Sequence, residues 1–203
     1  MRIAAKDMNT DATYRLITGM VVPRPIAWVT SLSAHGKVNL APFSMFTSVA
    51  PKPPLMAISI GRNSGVYKDT ARNILAREEY VIHIADFSHL DALHKSSTEY
   101  PPDVSEVEEA GLATVVSDEI AVPRLRDAPV AMECRLRSCI EFGNTRSRLI
   151  VGEVVVFHVR DGLVKDGKIA TKDLDPIARL AGPSYARLGD TVTLAPAHHT
   201  VKT

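Results

Sequence analysis

The run from residue 26 to residue 73 restricts this chain most, because short apolar strands there are cut by prolines and a turn before one helix begins. Residues 26–32 are rich in branched and aromatic side chains, as a strand requires. Residues 33–37 form a turn in which Gly36 can take a positive φ. Residues 38–49 are expected to return as one strand. Pro42 has no N–H for a ladder, so it marks a bulge or an edge where a ligand could reach the backbone. Pro51, Pro53 and Pro54 make a rigid connection to a buried strand over residues 55–60. A helix follows from about Asp69 to Arg77, with Ala71, Ile74 and Leu75 on one face.

The rest of the chain continues this alternation. Residues 11–19, with Tyr14, Leu16 and Ile17, read as a short helix or turn, and Pro23 and Pro25 hold Arg24 extended between them. Residues 80–85 are a strand. Residues 89–111 turn helical and acidic, split into two short helices by Pro101 and Pro102, with a capped start at Ser105. This segment reads as a flap inserted between strands. In residues 129–140, Val130, Met132, Cys134, Leu136 and Ile140 are expected inward and Glu133, Arg135 and Arg137 outward. Residues 149–159 are nearly continuous apolar, as for a strand buried on both faces. Asp161-Gly162 and Asp166-Gly167 punctuate a small exposed hairpin. The pattern predicts a mainly β fold with some α, an antiparallel barrel with short covering helices. We expect one domain over residues 10–190 and a flexible tail over 191–203.

Composition removes several function classes. With 24 basic and 23 acidic residues in 203, there is no electrostatic case for nucleic acid. The apolar run at 149–159 carries Glu153 and His158 and is too short to span a bilayer. The first residues hold no apolar core of signal-peptide length, which predicts the cytoplasm. Cys134 and Cys139 are five apart in a strand, on opposite faces, and read as two buried thiols. No metal site is expected, because the seven histidines show no ligand spacing: His89 and His94 diverge on a helix, and His198-His199 lies in the tail. There is no G-x-G-x-x-G, no P-loop, no H-E-x-x-H and no G-x-S-x-G.

What remains is a ligand-shaped pattern. Thr30, Ser31, Asn39, Ser44, Thr47 and Ser48 place hydroxyls and an amide on the first strands. Ala41 and Pro42 leave a gap on the sheet against which a planar ring could lie, whereas Trp28, Phe43 and Phe46 read as core or interface. The helix start, Ser64-Gly65-Val66-Tyr67-Lys68-Asp69-Thr70, combines free N–H groups with Lys68, a hydroxyl on Thr70, and Arg62 just before it, which suits an anion. The competing reading makes Asp69 a plain N-cap and Lys68 and Arg62 solvated surface charges. A flat, polar-edged ligand ending in a phosphate, flavin mononucleotide, fits the first reading.

At these residues the sequence resembles the flavin reductase-like FMN-binding family of split barrels. The matching segments are residues 23–31 (PRPIAWVTS), 39–44 (NLAPFS), 68–73 (KDTARN), 97–101 (STEYP), 109–111 (EAG), 129–134 (PVAMEC), 150–154 (IVGEV) and 174–179 (LDPIAR). The resemblance implies an antiparallel split β-barrel, homodimeric, with one FMN per protomer near the subunit interface. Thr30 and Ser31 would then line the ribityl and phosphate side. Asn39, Ala41, Pro42 and Ser44 would lie along the isoalloxazine, with the phosphate on Arg62, Lys68 and Thr70. Residues 182–187 (GPSYAR) are similar to the family's tail, which carries Tyr185 and Arg187 toward the pocket. No acid or base residue is expected to be catalytic. The implied activity is reduction of flavin by NADH or NADPH, with a partner oxygenase as one implied recipient of the reduced flavin; the alternative is a non-enzymatic FMN electron carrier like flavoredoxin. His83 stands where relatives often carry asparagine, which leaves the hydrogen bonding of that strand open.

Overall fold

The computed structural model describes residues 1–63, 65–101 and 104–195. The expectations placed on Ser64, Pro102, His198 and His199, and on residues 196–203 of the tail, lie outside the described residues; residues 191–195 carry no regular secondary structure. Seven strands pair antiparallel in one sheet: β1 (Ala27–Leu32), β2 (Val38–Phe43), β3 (Phe46–Pro51), β4 (Pro54–Ile60), β5 (Glu79–Ile84), β6 (Val130–Phe142) and β7 (Ser147–Val159). Their order is β2-β1-β5-β6-β7-β4-β3. The fold is mainly β, as expected. The single return strand expected over residues 38–49 is instead two, and β2 and β3 occupy opposite edges of the sheet. Proline explains the first edge. Pro42 lies in register with Trp28 but has no N–H to give a further strand, so β2 can end the sheet.

Period-two alternation divides the core between two faces. Val29, Ile58, Ile82, Cys134 and Ile150 pack on one side, where α2 (Asp69–Arg77) adds Ala71 and Ile74; Leu75 is half-buried. On the other side Trp28 and Leu40 pack with Leu93 of α3 (Leu90–Lys95) and Val107 of α4 (Glu106–Glu109). Trp28 is fully buried, and its indole N–H donates to Ser96 Oγ at 2.8 Å, a core role. Ser105 precedes α4 but does not cap it; its hydroxyl donates to the Val38 carbonyl at 2.6 Å and ties the flap to the β2 edge. The hairpin expected near residues 161–167 is present as Val164–Lys165 paired with Lys168–Ile169.

Two strand assignments need correction. Glu133, expected outward, is fully buried, because the loop carrying Ser117, Ile120 and Val122 covers that face. A register shift after Leu136, where Arg137 is the extra residue, breaks the alternation of β6, so Ile140, expected inward, is 47% exposed. β7 is not buried throughout: Ile150, Gly152 and Val154 are buried, whereas Phe157 is exposed. Cys134 is buried and Cys139 half-buried, both free. Among the described residues no helix is long and apolar enough to cross a membrane.

His83 is fully buried between β1 and the strand Arg124–Leu125. Its Nδ1–H donates to the Trp28 carbonyl at 2.9 Å and its Nε2 accepts the Leu125 N–H at 2.9 Å, which fixes a neutral tautomer. Burial, aided by the charges of Arg124 and His158 and opposed by the Trp28 bond, lowers its pKa from 6.5 to about 4. The unfolded chain protonates this histidine near 6.5, so below that pH it binds more protons than the native state. Stability from this group is intact above pH 6.5 and falls as pH drops toward about 4. The expected loss across the window is about 3 kcal/mol. Urea unfolding midpoints measured at half-unit pH steps check this, and a flat profile between those limits would contradict it.

Candidate functional site

The site is built where β2, the start of α2 and the C-terminal segment meet. Residues Arg24–Pro25, Ala178–Arg179 and Tyr185–Ala186 form a small three-stranded antiparallel sheet, so the chain after Leu174 is ordered against its own beginning. Arg24 is the pin of this arrangement. Its side chain donates to the carbonyls of Thr18 at 2.6 Å, Val21 at 2.7 Å and Leu180 at 2.9 Å, and to Ser44 Oγ at 3.2 Å. It thereby joins the end of α1 (Thr10–Met20) to the C-terminal strands.

A two-lobed cleft opens beside it. The first lobe, about 390 Å³, runs along Asn39, Ala41, Pro42 and Phe43 to Tyr67, Lys68 and Thr70, and is roofed by Ser96–Tyr100 and Glu106. The second, about 410 Å³, lies between Arg24, Ile26, Ser44 and Leu93 on one side and Arg179, Leu180 and Tyr185 on the other. Pro42, Phe43, Lys68 and Ser97 line both lobes, so the edge of β2 is their common floor. Ala41 and Pro42 leave that floor low, as the gap in the sequence suggested.

The polar groups at the floor are arranged by one another. Asn39 Nδ2 donates to Thr70 Oγ1 at 2.9 Å, which leaves the Thr70 hydroxyl proton free to donate. Lys68 occupies the N-cap of α2 and supplies no capping side-chain bond, so first-turn N–H groups remain for an anion. The competing reading of Asp69 as N-cap is thereby replaced; Asp69 sits in the first turn and pairs with Arg72. Glu106 is buried in the first lobe, its Oε2 accepting the Leu40 N–H at 2.9 Å. Burial pushes its pKa up, the Leu40 bond opposes this, and nearby Asp69 adds to it.

Of the residues singled out in the sequence, Asn39, Ala41, Pro42, Ser44, Lys68, Thr70 and Tyr185 line the cleft. Four do not. Thr30 is fully buried and donates to the Pro123 carbonyl at 2.8 Å. Ser31 is fully buried and accepts from Asn73 Nδ2 at 3.1 Å. Arg62 stacks 3.8 Å from the Tyr67 ring centre and bonds the Tyr67 hydroxyl, while Arg148 lies 3.3 Å from the same ring and Glu141 accepts from its hydroxyl. Arg62 is held in that cluster and lines neither lobe, whereas Lys68 and Thr70 line the first. Arg187 pairs with Asp175 and lies 4.4 Å from the Phe87 ring centre. Not singled out in the sequence as site residues were Arg24, Glu106 and Arg179. Only Arg24 carried a usable signal, an arginine held between two prolines.

Three comparisons bear on this cleft. The family described as flavin reductase like domain matches residues 19–172. The chain is 41% identical over 196 residues to the uncharacterized protein YwrF of Bacillus subtilis, covering 94% of this chain and 96% of that one. It superimposes on nitrilotriacetate monooxygenase component B of Bacillus cereus with a TM-score of 0.93 at 39% identity, covering 96% and 98% of the two chains. The 2-nitrobenzoate 2-nitroreductase NbaA of Pseudomonas fluorescens aligns at 35% identity and a TM-score of 0.88, covering 97% and 96%. The family match over residues 19–172 and the 41% identity across nearly the whole chain show that the chain belongs to the flavin reductase-like family.

Proposed function

We propose that the protein is an NADH- or NADPH-dependent FMN reductase, working as a homodimer and supplying reduced flavin to a partner oxygenase. The observation that carries this reading is the floor of the cleft, where a low Ala41-Pro42 edge runs straight into the uncapped start of α2 beside Lys68. The residues present fit a flavin mononucleotide: a planar ring against Pro42 and Phe43, a phosphate on Lys68, the Thr70 hydroxyl and the first-turn amides. Asn39 donates to the Thr70 oxygen, so the Thr70 hydroxyl proton stays available to a phosphate oxygen. Bound there, the flavin would take a hydride from a nicotinamide and pass reducing equivalents on. The chain's own work is positioning and exclusion of water, and no side chain has to move a proton for that step. The similarity to a protein named component B of a monooxygenase supports the oxygenase partner.

The test is nicotinamide oxidation at saturating FMN, followed at 340 nm with NADH and NADPH in turn (about two absorbance traces decide it). Turnover above the flavin-only blank is expected, and its absence with both donors would refute the reading. Lys68→Met is expected to weaken FMN at least about tenfold while leaving riboflavin, which has no phosphate, within about twofold. Equal losses for the two flavins, measured by fluorescence quenching, would remove Lys68 from the phosphate site.

A further inference from the structure

The two lobes differ in charge. Asp69, Glu99 and Glu106 line the first, whereas no carboxylate is among the described residues lining the second. Instead the second lobe gathers Arg24, Lys68 and Arg179. Arg24 is only 5% exposed, and every hydrogen bond it makes among the described residues goes to a neutral oxygen. Arg179 donates to the Tyr185 hydroxyl at 2.5 Å and the Gly182 carbonyl at 2.6 Å, again neutral groups. None of the three cations joins an ion pair among the described residues. A buried positive charge with no counter-charge is costly, and a ligand anion offsets that cost.

We propose that the second lobe recognises an anionic group, phosphate or carboxylate, on the redox co-substrate of the flavin. This rests on the flavin reading of the cleft. Arg179 is the planar fork at its mouth, its guanidinium 4.6 Å from the Tyr185 ring centre, and Lys68 is a point charge at the junction with the first lobe. The Tyr185 oxygen accepts from Arg179 and lies 3.1 Å from His94 Nδ1, so the phenol is held in place beside the fork. Ile26, Phe43 and Leu93 supply apolar wall, which suits an organic anion with a flat body and not a bare ion.

The experiment uses the FMN-loaded protein, Arg179→Gln and Arg179→Lys. Two matched pairs are compared: NADH against the phosphate-free donor 1-benzyl-1,4-dihydronicotinamide by initial rates, and benzoate against benzamide by titration of the flavin absorption spectrum. In Arg179→Gln the anionic member of at least one pair should weaken at least about tenfold relative to its neutral partner, and Arg179→Lys should recover part of it. A shift in the NADH pair assigns the anion to dinucleotide phosphates, and a shift in the benzoate pair assigns it to a carboxylate. No change in either ratio would overturn the proposal while leaving the flavin site standing. Weaker FMN with unchanged riboflavin would also overturn it, because the anion would then be the flavin's own phosphate. Failure of the unmodified protein to bind FMN would instead bring down the function reading on which it rests.

Discussion

Glu133→Ala is expected to destabilise the protein by about 3 kcal/mol or more, one of the largest single-residue losses in the chain. The carboxylate is fully buried under the loop at residues 117–122 and accepts three hydrogen bonds, two from that loop and one from His158 of β7. Its Oε1 accepts the Asp118 N–H at 2.7 Å and His158 Nε2 at 2.6 Å, and its Oε2 accepts the Glu119 N–H at 2.8 Å. Burial would raise the Glu133 pKa, but the bonds from Asp118, His158 and Glu119 outweigh it and hold the group below the ordinary glutamate value. Alanine therefore leaves two part-buried backbone donors and the half-buried His158 without their acceptor. Asp118, Glu133 and His158 do bring ligand atoms within 4.8 Å of one another, yet both Glu133 oxygens are already occupied by protein donors, so the cluster acts as a loop clamp. Denaturant unfolding checks the loss; a change below about 1 kcal/mol would show that the loop is held by apolar contacts alone.

Gly152→Ala is expected to cost a similar amount for the opposite reason, too much atom where there is no room. Gly152 sits in β7 across from Met56, and a Cβ there would lie 2.8 Å from Cζ of Tyr80 and closer still to its hydroxyl. Tyr80 is fully buried, so its ring has nowhere to retreat. Overpacking of this kind costs about 1–3 kcal/mol, and the enclosed position puts the value at the upper end. The Tyr80 hydroxyl has no hydrogen-bond partner among the described residues, so Tyr80→Phe should be neutral or stabilising by up to about 1 kcal/mol and should recover part of the Gly152→Ala loss. A neutral Gly152→Ala, or a double variant no better than the single one, would contradict this packing.

Local patterns made much of the fold legible. The helix over Asp69–Arg77 and the hairpins follow from periodicity, glycine and proline, all of which act within a few residues. What failed depends on distant partners. The division of residues 38–51 into two opposite edge strands is decided by which strand each half meets, and nothing inside the segment records that. Glu133 looks like an outward residue of an alternating strand until the covering loop is known. The site divides the same way. Asn39, Pro42, Lys68 and Thr70 converge because β2 and α2 both pack against β1, whereas Thr30 and Ser31, on β1 itself, are sealed under neighbours. Arg62 has the charge for a phosphate but is held by Tyr67 and by Glu141, and Glu141 is too far along the chain to be read beside it. Arg179 entered the cleft only through the pairing of Ala178–Arg179 with Arg24–Pro25.

A crystal structure of the protein grown with FMN tests the central claim most directly. The account predicts a ring lying against Pro42 and Phe43 and a phosphate within hydrogen-bond reach of Lys68 and the Thr70 hydroxyl. Flavin density elsewhere on the surface, or a cleft that stays empty at millimolar FMN, would contradict it.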